Sequence, residues 1–273
     1  TITSEDSFLP QIGFTYEVAD NSEIFGGYTE NMRAHTLAPA SSQTQSGFDF
    51  IKQNTDPESS RTMELGWRYR SGPFQGVAAA YYVKFDDRLL GLSSGAGIIG
   101  NPSVIKNVGS VTTKGLELAG TYDITDEWTL FGSYAYNDSK YDDDVVDATL
   151  PAPIRTSGKT VVNAPEHLFK ADLGYDNGTF FGKLSLAYTG SRYFSYLNNA
   201  EVDGYTLADF TAGYRFSGND LLEGLELQLN VTNLTDEDYV STIGTNGFNV
   251  SPDNQTLMVG SPRPVFATIR KSF

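Results

Sequence analysis

Apolar and polar residues alternate along most of the chain. Leu225, Leu227, Leu229 and Val231 are interleaved with Glu226, Gln228, Asn230 and Thr232. Met63, Leu65, Trp67 and Tyr69 alternate with Glu64, Gly66, Arg68 and Arg70, and Ile12, Phe14, Tyr16 and Val18 with Gln11, Gly13, Thr15 and Glu17. Phe169, Ala171, Leu173 and Tyr175 oppose Lys170, Asp172 and Gly174. Successive strand side chains point to opposite faces, so a period of two gives each segment one apolar and one polar face. The pattern predicts eleven strands, over residues 9–18, 23–33, 61–70, 74–87, 108–122, 128–140, 165–176, 179–190, 204–216, 224–235 and 262–273.

The connections alternate in length. The short ones are 19–22, 71–73, 123–127, 177–178 and 217–223; the long ones are 34–60, 88–107, 141–164, 191–203 and 236–261. Asn177-Gly178 reads as a type I′ hairpin turn, which needs positive φ at both central residues. Every long connection therefore falls at one end of the strands. A soluble β-sandwich or jelly roll can alternate its faces, but has no reason to sort its loops by end. Membrane barrels do sort them, with strands of about 9–11 residues, an apolar face toward lipid and a polar face toward the lumen. Tyr16, Tyr28, Trp67, Tyr69, Trp128, Tyr134, Tyr136, Tyr175, Tyr188 and Tyr214 fall near predicted strand ends on the apolar face. Girdles at a lipid–water interface want such rings at that depth. The expected fold is all-β, a transmembrane antiparallel up-and-down barrel.

Strand parity adds a constraint. Bacterial single-chain barrels have an even number of strands. An odd set leaves an edge whose N–H and C=O groups hydrocarbon cannot satisfy. Either the count is off by one, or the chain is part of a larger barrel.

Composition narrows the function. No apolar stretch approaches the roughly 20 residues of a membrane helix. The 273 residues carry 34 acidic and 19 basic side chains, a net charge of −15, which disfavours a nucleic-acid partner. Cysteine is absent, and with it disulfides, thiolate nucleophiles and Cys-ligated zinc. His35 and His167 are the only histidines. His167 reads as a rim residue at a strand start. No phosphate-loop fingerprint occurs. An enzyme is not expected, nor a cofactor or resident metal. Asp142, Asp143, Asp144 and Asp147 form one acidic cluster, and Asp236, Glu237 and Asp238 another. The first lacks the spacing of a calcium loop and reads as a solvated surface facing lipopolysaccharide.

The long loops are the better place for chemistry. Capturing a chelate in an aqueous mouth takes aromatics for contact area and Arg for anionic oxygens. The candidates are Arg33, His35, Phe48, Arg155, Arg192, Tyr193, Tyr196, Tyr239 and Phe248, densest over Arg192–Tyr196. Glu64, Arg68, Lys84, Asp86, Glu117, Lys170, Asp172, Asp209, Arg215, Glu226 and Arg270 are expected as a charge ladder on the lumen face.

Four segments resemble TonB-dependent outer-membrane receptors. Asn107, Gly109, Gly115 and Glu117 follow an N-x-G…G-x-E strand pattern. Pro57, Glu58, Ser59, Glu64 and Gly66 resemble that family's approach to a strand. Asn233, Leu234, Asp236 and Tyr239 are similar to its N-L-x-D-x-x-Y segment, and Pro262 to Phe273 to its closing strand. The resemblance implies a 22-stranded barrel with an N-terminal plug, of which residues 1–273 would be the C-terminal part of the one barrel domain. It implies Phe273, with Ile269 and Ala267, as the signal read by the barrel-insertion machinery; Lys271 departs from the alternation there. It implies uptake across the outer membrane of a Gram-negative bacterium, with a ferric siderophore as the default ligand. Energy would come from the TonB complex acting through the upstream plug. A passive porin and a surface-binding adhesin are the alternatives.

Overall fold

The computed structural model describes residues 5–34, 56–93, 103–107, 109–146, 153–217, 222–244 and 255–272. Its strands in chain order are β1 (Gln11–Ala19), β2 (Ser22–Arg33), β3 (Glu58–Ser71), β4 (Phe74–Asp86), β5 (Leu89–Ser93), β6 (Ser103–Asn107), β7 (Val111–Asp123), β8 (Trp128–Tyr141), β9 (His167–Asp176), β10 (Phe180–Thr189), β11 (Arg192–Tyr193), β12 (Glu201–Val202), β13 (Tyr205–Arg215), β14 (Leu225–Val231), β15 (Val240–Ile243), β16 (Leu257–Val259) and β17 (Val265–Lys271). Eleven of them form one antiparallel sheet in the order β1-β2-β3-β4-β7-β8-β9-β10-β13-β14-β17, and these are the eleven predicted segments. The remaining six pair as three hairpins, β5–β6, β11–β12 and β15–β16, inside connections expected to be loop. The last two sheet strands are shorter than expected. Asn233 (φ 49°) leaves the ladder after β14, and Pro262 and Pro264 carry no N–H to donate ahead of β17.

The register lines up like residues across the sheet. Trp67, Ala78, Leu118, Tyr134, Phe169 and Tyr188 are successive direct partners on β3, β4, β7, β8, β9 and β10. Leu130, Leu173, Leu184, Phe210, Val231 and Val265 form a second such row. No second sheet covers this face among the described residues. Leu65 is 58% exposed and Ile269 73%. A soluble sandwich buries such a face; a barrel wall turns it to lipid. Aromatics on the same face gather toward the strand ends. At the short-turn end Trp67 and Tyr69 lie 5.5 Å apart, Trp128 and Tyr175 4.7 Å, and Phe180 and Tyr214 4.8 Å. Tyr28, Tyr82, Tyr136 and Tyr188 stand toward the long-loop end.

The opposite face is polar and tied by ion pairs. Arg68 meets Glu23 at 2.6 Å and lies 4.0 Å over the Phe25 ring. Arg215 bridges Asp176 (2.7 Å) and Glu226 (3.3 Å), and Glu226 also meets Arg270 (3.6 Å). Glu64, Glu117, Lys170, Asp172 and Asp209 share this face, as expected. Lys84 and Asp86 do not. The β3–β4 register runs without a slip, so both stand on the face of Tyr82, opposite Arg61 and Ser59. An assignment by charge alone put them on the polar side; the unbroken two-residue period of β4 decides otherwise.

The turn at Asn177-Gly178 also differs from expectation. Only Gly178 has positive φ (84°), so the turn is not type I′. Pairing between β9 and β10 stops at Asp176 and resumes at Phe181, leaving residues 177–180, two more than a two-residue turn. The Asn177 side chain accepts from the N–H of Thr179 (3.0 Å) and of Phe180 (2.7 Å), an Asx turn.

Candidate functional site

The long connections leave the same end of the sheet, where the described parts of 141–164 and 191–203 build a small core with the ends of β7 and β8. Val111, Tyr141, Val145, Val162 and Tyr196 are buried against one another, with the rings of Tyr141 and Tyr196 5.9 Å apart. Burial pushes the Tyr196 phenol well above its ordinary pKa, so it stays neutral. The core joins two loops. Asn198 accepts from the Thr160 N–H (2.7 Å) and donates to the Thr160 carbonyl (2.9 Å). Thr156, fully buried, donates to the Asp143 carbonyl at 2.8 Å.

The acids of the first cluster are used as caps. The Asp142 carboxylate accepts from the Thr112 hydroxyl (2.8 Å), Asp143 from the Ser110 N–H (2.9 Å) and Asp144 from the Ser157 N–H (2.9 Å). They hold the loop rather than forming only a solvated surface. Asp147 lies outside the described residues.

Arg192 is the second tie. It is buried; its guanidinium donates to the Val240 carbonyl (2.6 Å) and to Asn163 (3.2 Å), and lies 5.7 Å over the Tyr205 ring. Tyr205 in turn stacks on Tyr239 at 4.4 Å. Asn233 is the third. Its side chain donates to the carbonyls of Glu237 (2.9 Å) and Ser261 (3.1 Å) and accepts from the Glu237 N–H (2.8 Å). Asp236 (φ 57°) accepts from the Arg263 N–H at 3.0 Å. Asn and Asp tolerate the left-handed region and bond locally, which is why this sharp reversal uses them.

The other recognisable segments have equally physical reasons. Glu58 is buried, accepts from the Leu89 N–H at 2.7 Å and pairs with Arg88 at 2.6 Å, fastening the β5–β6 hairpin to β3. Asn107 donates to the Asp87 carbonyl (2.6 Å) and accepts from the Asp56 N–H (2.8 Å). Gly109 has φ 83°, and a Cβ there would sit 2.9 Å from that of Asp143. A Cβ on Gly115 would fall 2.2 Å from the Tyr136 carbonyl oxygen.

The model of the family described as TonB dependent receptor-like, beta-barrel, matches residues 1–234. The chain belongs to this family. The catecholate siderophore receptor Fiu of Escherichia coli is 24% identical over 277 aligned positions, covering 96% of this chain and 32% of Fiu. The ferrioxamine B receptor of Salmonella typhimurium is 35% identical over 143 positions, half of this chain and 19% of that protein. Among solved structures, the siderophore receptor PiuA of Acinetobacter baumannii superposes with a TM-score of 0.72 at 20% identity, over 96% of this chain and 35% of PiuA. The ferric yersiniabactin uptake receptor FyuA of Yersinia pestis gives 0.71 at 18%, over 97% and 37%. The chain thus spans a third or less of the length of the sequence relatives named here.

Within this TonB-dependent receptor barrel, the loop candidates separate into two groups. Tyr196 and Arg192 are built into the loop core, and Tyr239 is half-buried on Tyr205. Arg33 and Arg155 are exposed and Tyr193 is half-buried in β11. Arg33 stands 3.9 Å from Glu58. His35, Phe48, Phe248 and Phe273 lie outside the described residues. Ala267 and Ile269 stand on the apolar face opposite Leu229 and Leu227. His167 sits at the start of β9, its Nδ1 2.8 Å from the Tyr134 hydroxyl. Sequence reasoning passed over Thr156 and Asn198, whose types carry no signal apart from the loops they join. It also passed over two glycine strings in the connection 88–107. Gly91–Gly95 has the form G-x-S-x-G and Gly95–Gly100 the form G-x-G-x-x-G. Both motifs require a helix to follow. Gly91, Leu92 and Ser93 instead lie in β5, paired with β6, and residues 94–100 are outside the described set.

Proposed function

We propose that the chain is the C-terminal part of an outer-membrane receptor barrel. Its long-loop end binds a ferric siderophore, and import is driven by the TonB complex acting through an upstream plug. The observation that carries this is the gathering of every long connection at one end of a wall whose other face is uncovered and apolar. The names of the relatives support the ligand class. Arg155 and Tyr193 are the proposed contacts, because they reach the surface of the loop core while Arg192 and Tyr196 support it. The uncovered edges of β1 and β17 support continuation by further strands, since hydrocarbon does not satisfy an open edge. The polypeptide recovered from native outer membranes is then expected to have an intact mass at least twice 29.8 kDa. A mass near 29.8 kDa removes the part-barrel reading.

The binding test uses protein purified from outer membranes of iron-limited cells. It is titrated with ferrioxamine B, ferric enterobactin and ferric citrate while tyrosine and tryptophan fluorescence is followed. Saturable quenching by one chelate is expected. Arg155→Glu or Tyr193→Ala should weaken it by about tenfold, the loss of one charged or aromatic contact. Ion conductance with no chelate binding would instead favour the passive porin.

A further inference from the structure

The connection 191–203 is folded so that its paired residues offer two side chains outward. β11 and β12 pair Arg192 with Val202 and Tyr193 with Glu201. Neighbouring pairs of a ladder point to opposite faces. Arg192 and Val202 are each only 7% exposed and are turned inward. Tyr193, half-buried, and Glu201, exposed, therefore stand together on the outer face. The backbone of this hairpin is fixed on both sides. The Asn163 N–H donates to the Tyr193 carbonyl (2.9 Å) and the Phe194 N–H to the Ala200 carbonyl (3.0 Å). The Asn199 N–H donates to the hydroxyl of the buried Ser195 (3.2 Å). Direct cross-strand partners hold their Cβ atoms about 4.5–5.5 Å apart, so the phenol ring and the carboxylate are neighbours before any ligand arrives.

Two features of this pair call for a cation. Among the described residues, the Glu201 carboxylate has neither an ion pair nor a hydrogen bond. Arg155 and Lys159 are exposed in the neighbouring connection 141–164, yet neither pairs with it. The five long connections together carry 13 acidic and 6 basic residues, so the field at the loop end draws cations and repels anions. An aromatic face beside a bare carboxylate suits an ammonium group. The ring attracts the charge within about 6 Å of its centre, and the carboxylate accepts a charge-assisted hydrogen bond.

We infer that Tyr193 and Glu201 bind a primary ammonium group carried by the chelate, and that this pair selects a cationic ferric hydroxamate over anionic chelates. The inference rests on the proposed receptor function and deepens it. Three hydroxamates balance the charge of a ferric ion, so the core of such a chelate is neutral and a terminal ammonium makes the whole a cation. Three catecholates leave a trianion, which an acidic loop end repels. Arg155 then donates to the hydroxamate oxygens while Tyr193 and Glu201 hold the tail. The two contacts lie on different connections tied to one core, so a chelate that meets both spans them. Because the hairpin is already fixed, capture of the tail costs little ordering of the protein.

The test uses protein purified from outer membranes of iron-limited cells, titrated with ferrioxamine B and with its N-acetyl derivative. The first ends in a primary ammonium; the second has the same iron core without that charge. Ferrioxamine B is expected to bind about tenfold more tightly, the worth of one desolvated ammonium contact. Glu201→Gln should erase the difference, while Glu223→Gln, exposed at the short-turn end, should keep it. Equal binding of the two chelates, or a difference that survives Glu201→Gln, overturns the ammonium site while the receptor reading stands. Tighter binding of ferric enterobactin than of ferrioxamine B does the same. The comparison of the two chelates on the unaltered protein decides the matter even if the variant does not assemble. Failure of every chelate to bind removes the receptor reading, and the site with it.

Discussion

Leu118→Arg is expected to cost the assembled wall about 2–4 kcal/mol, the penalty for a cation on the lipid face near the bilayer midplane. Leu118 lies at the middle of β7, between Ala78 and Tyr134, and nothing in the sheet covers it. A guanidinium there has neither water nor a carboxylate within its own row. The effect should appear as a lower urea midpoint for the folded, heat-modifiable form in lipid vesicles. Glu117→Gln, one residue away on the polar face, should leave that midpoint unchanged. A neutral Leu118→Arg with a damaging Glu117→Gln would mean that the faces are reversed.

Tyr196→Ala is expected to act on a different part of the molecule. Tyr196 and Tyr141 are among the largest fully buried side chains; Tyr196 sits in a loop and packs on Tyr141 at the long-loop end of β8. Truncating a buried aromatic typically removes about 3–5 kcal/mol. The loss should fall on the loop core, so amides of residues 153–162 and 192–202 should exchange at least about a hundredfold faster. Those of β7 and β8 below Lys140 should hold their protection. The proposed siderophore binding should weaken too, through disorder of the mouth rather than loss of a contact. Tyr193→Ala separates the two effects, since it should weaken binding with exchange unchanged. Unaltered exchange in Tyr196→Ala would show that the loops do not share one core.

The sheet was legible because a barrel wall writes its two environments into the chain at the shortest period available. Leu225 to Val231 and Met63 to Tyr69 could be read residue by residue. The length of the connections then told the two ends apart. Legibility failed where charge and period disagreed. Lys84 and Asp86 look like lumen residues by type, yet the period carried through from Ala78, Ala80 and Tyr82 places them on the apolar face. It failed again in the loops, where contacts are made between segments far apart in sequence. Arg192 and Tyr196 have the chemistry of ligand contacts and are consumed by packing, because a long loop that stays folded needs its own apolar centre and its own hydrogen-bond partners. Asp142 and Asp143 are exposed, as their sequence suggests, but their second role as acceptors for Thr112 and Ser110 is visible only in space. Asn233 and Asp236 are the exception. Their motif was recognisable, and the structure explains it through two left-handed residues and the bonds to Glu237, Ser261 and Arg263.

The absence of cysteine allows the central claim, that this sheet is a membrane wall with one lipid face and one aqueous face, to be tested on a single strand. Single cysteines placed in turn at Leu116, Glu117, Leu118 and Ala119 in the native outer membrane would be offered a lipid-soluble and a charged, water-soluble maleimide. The account predicts a period of two: positions 116 and 118 react with the lipid-soluble reagent alone, and 117 and 119 with the water-soluble one. Reaction of all four positions with the charged reagent would contradict it, because the apolar face would then be meeting water.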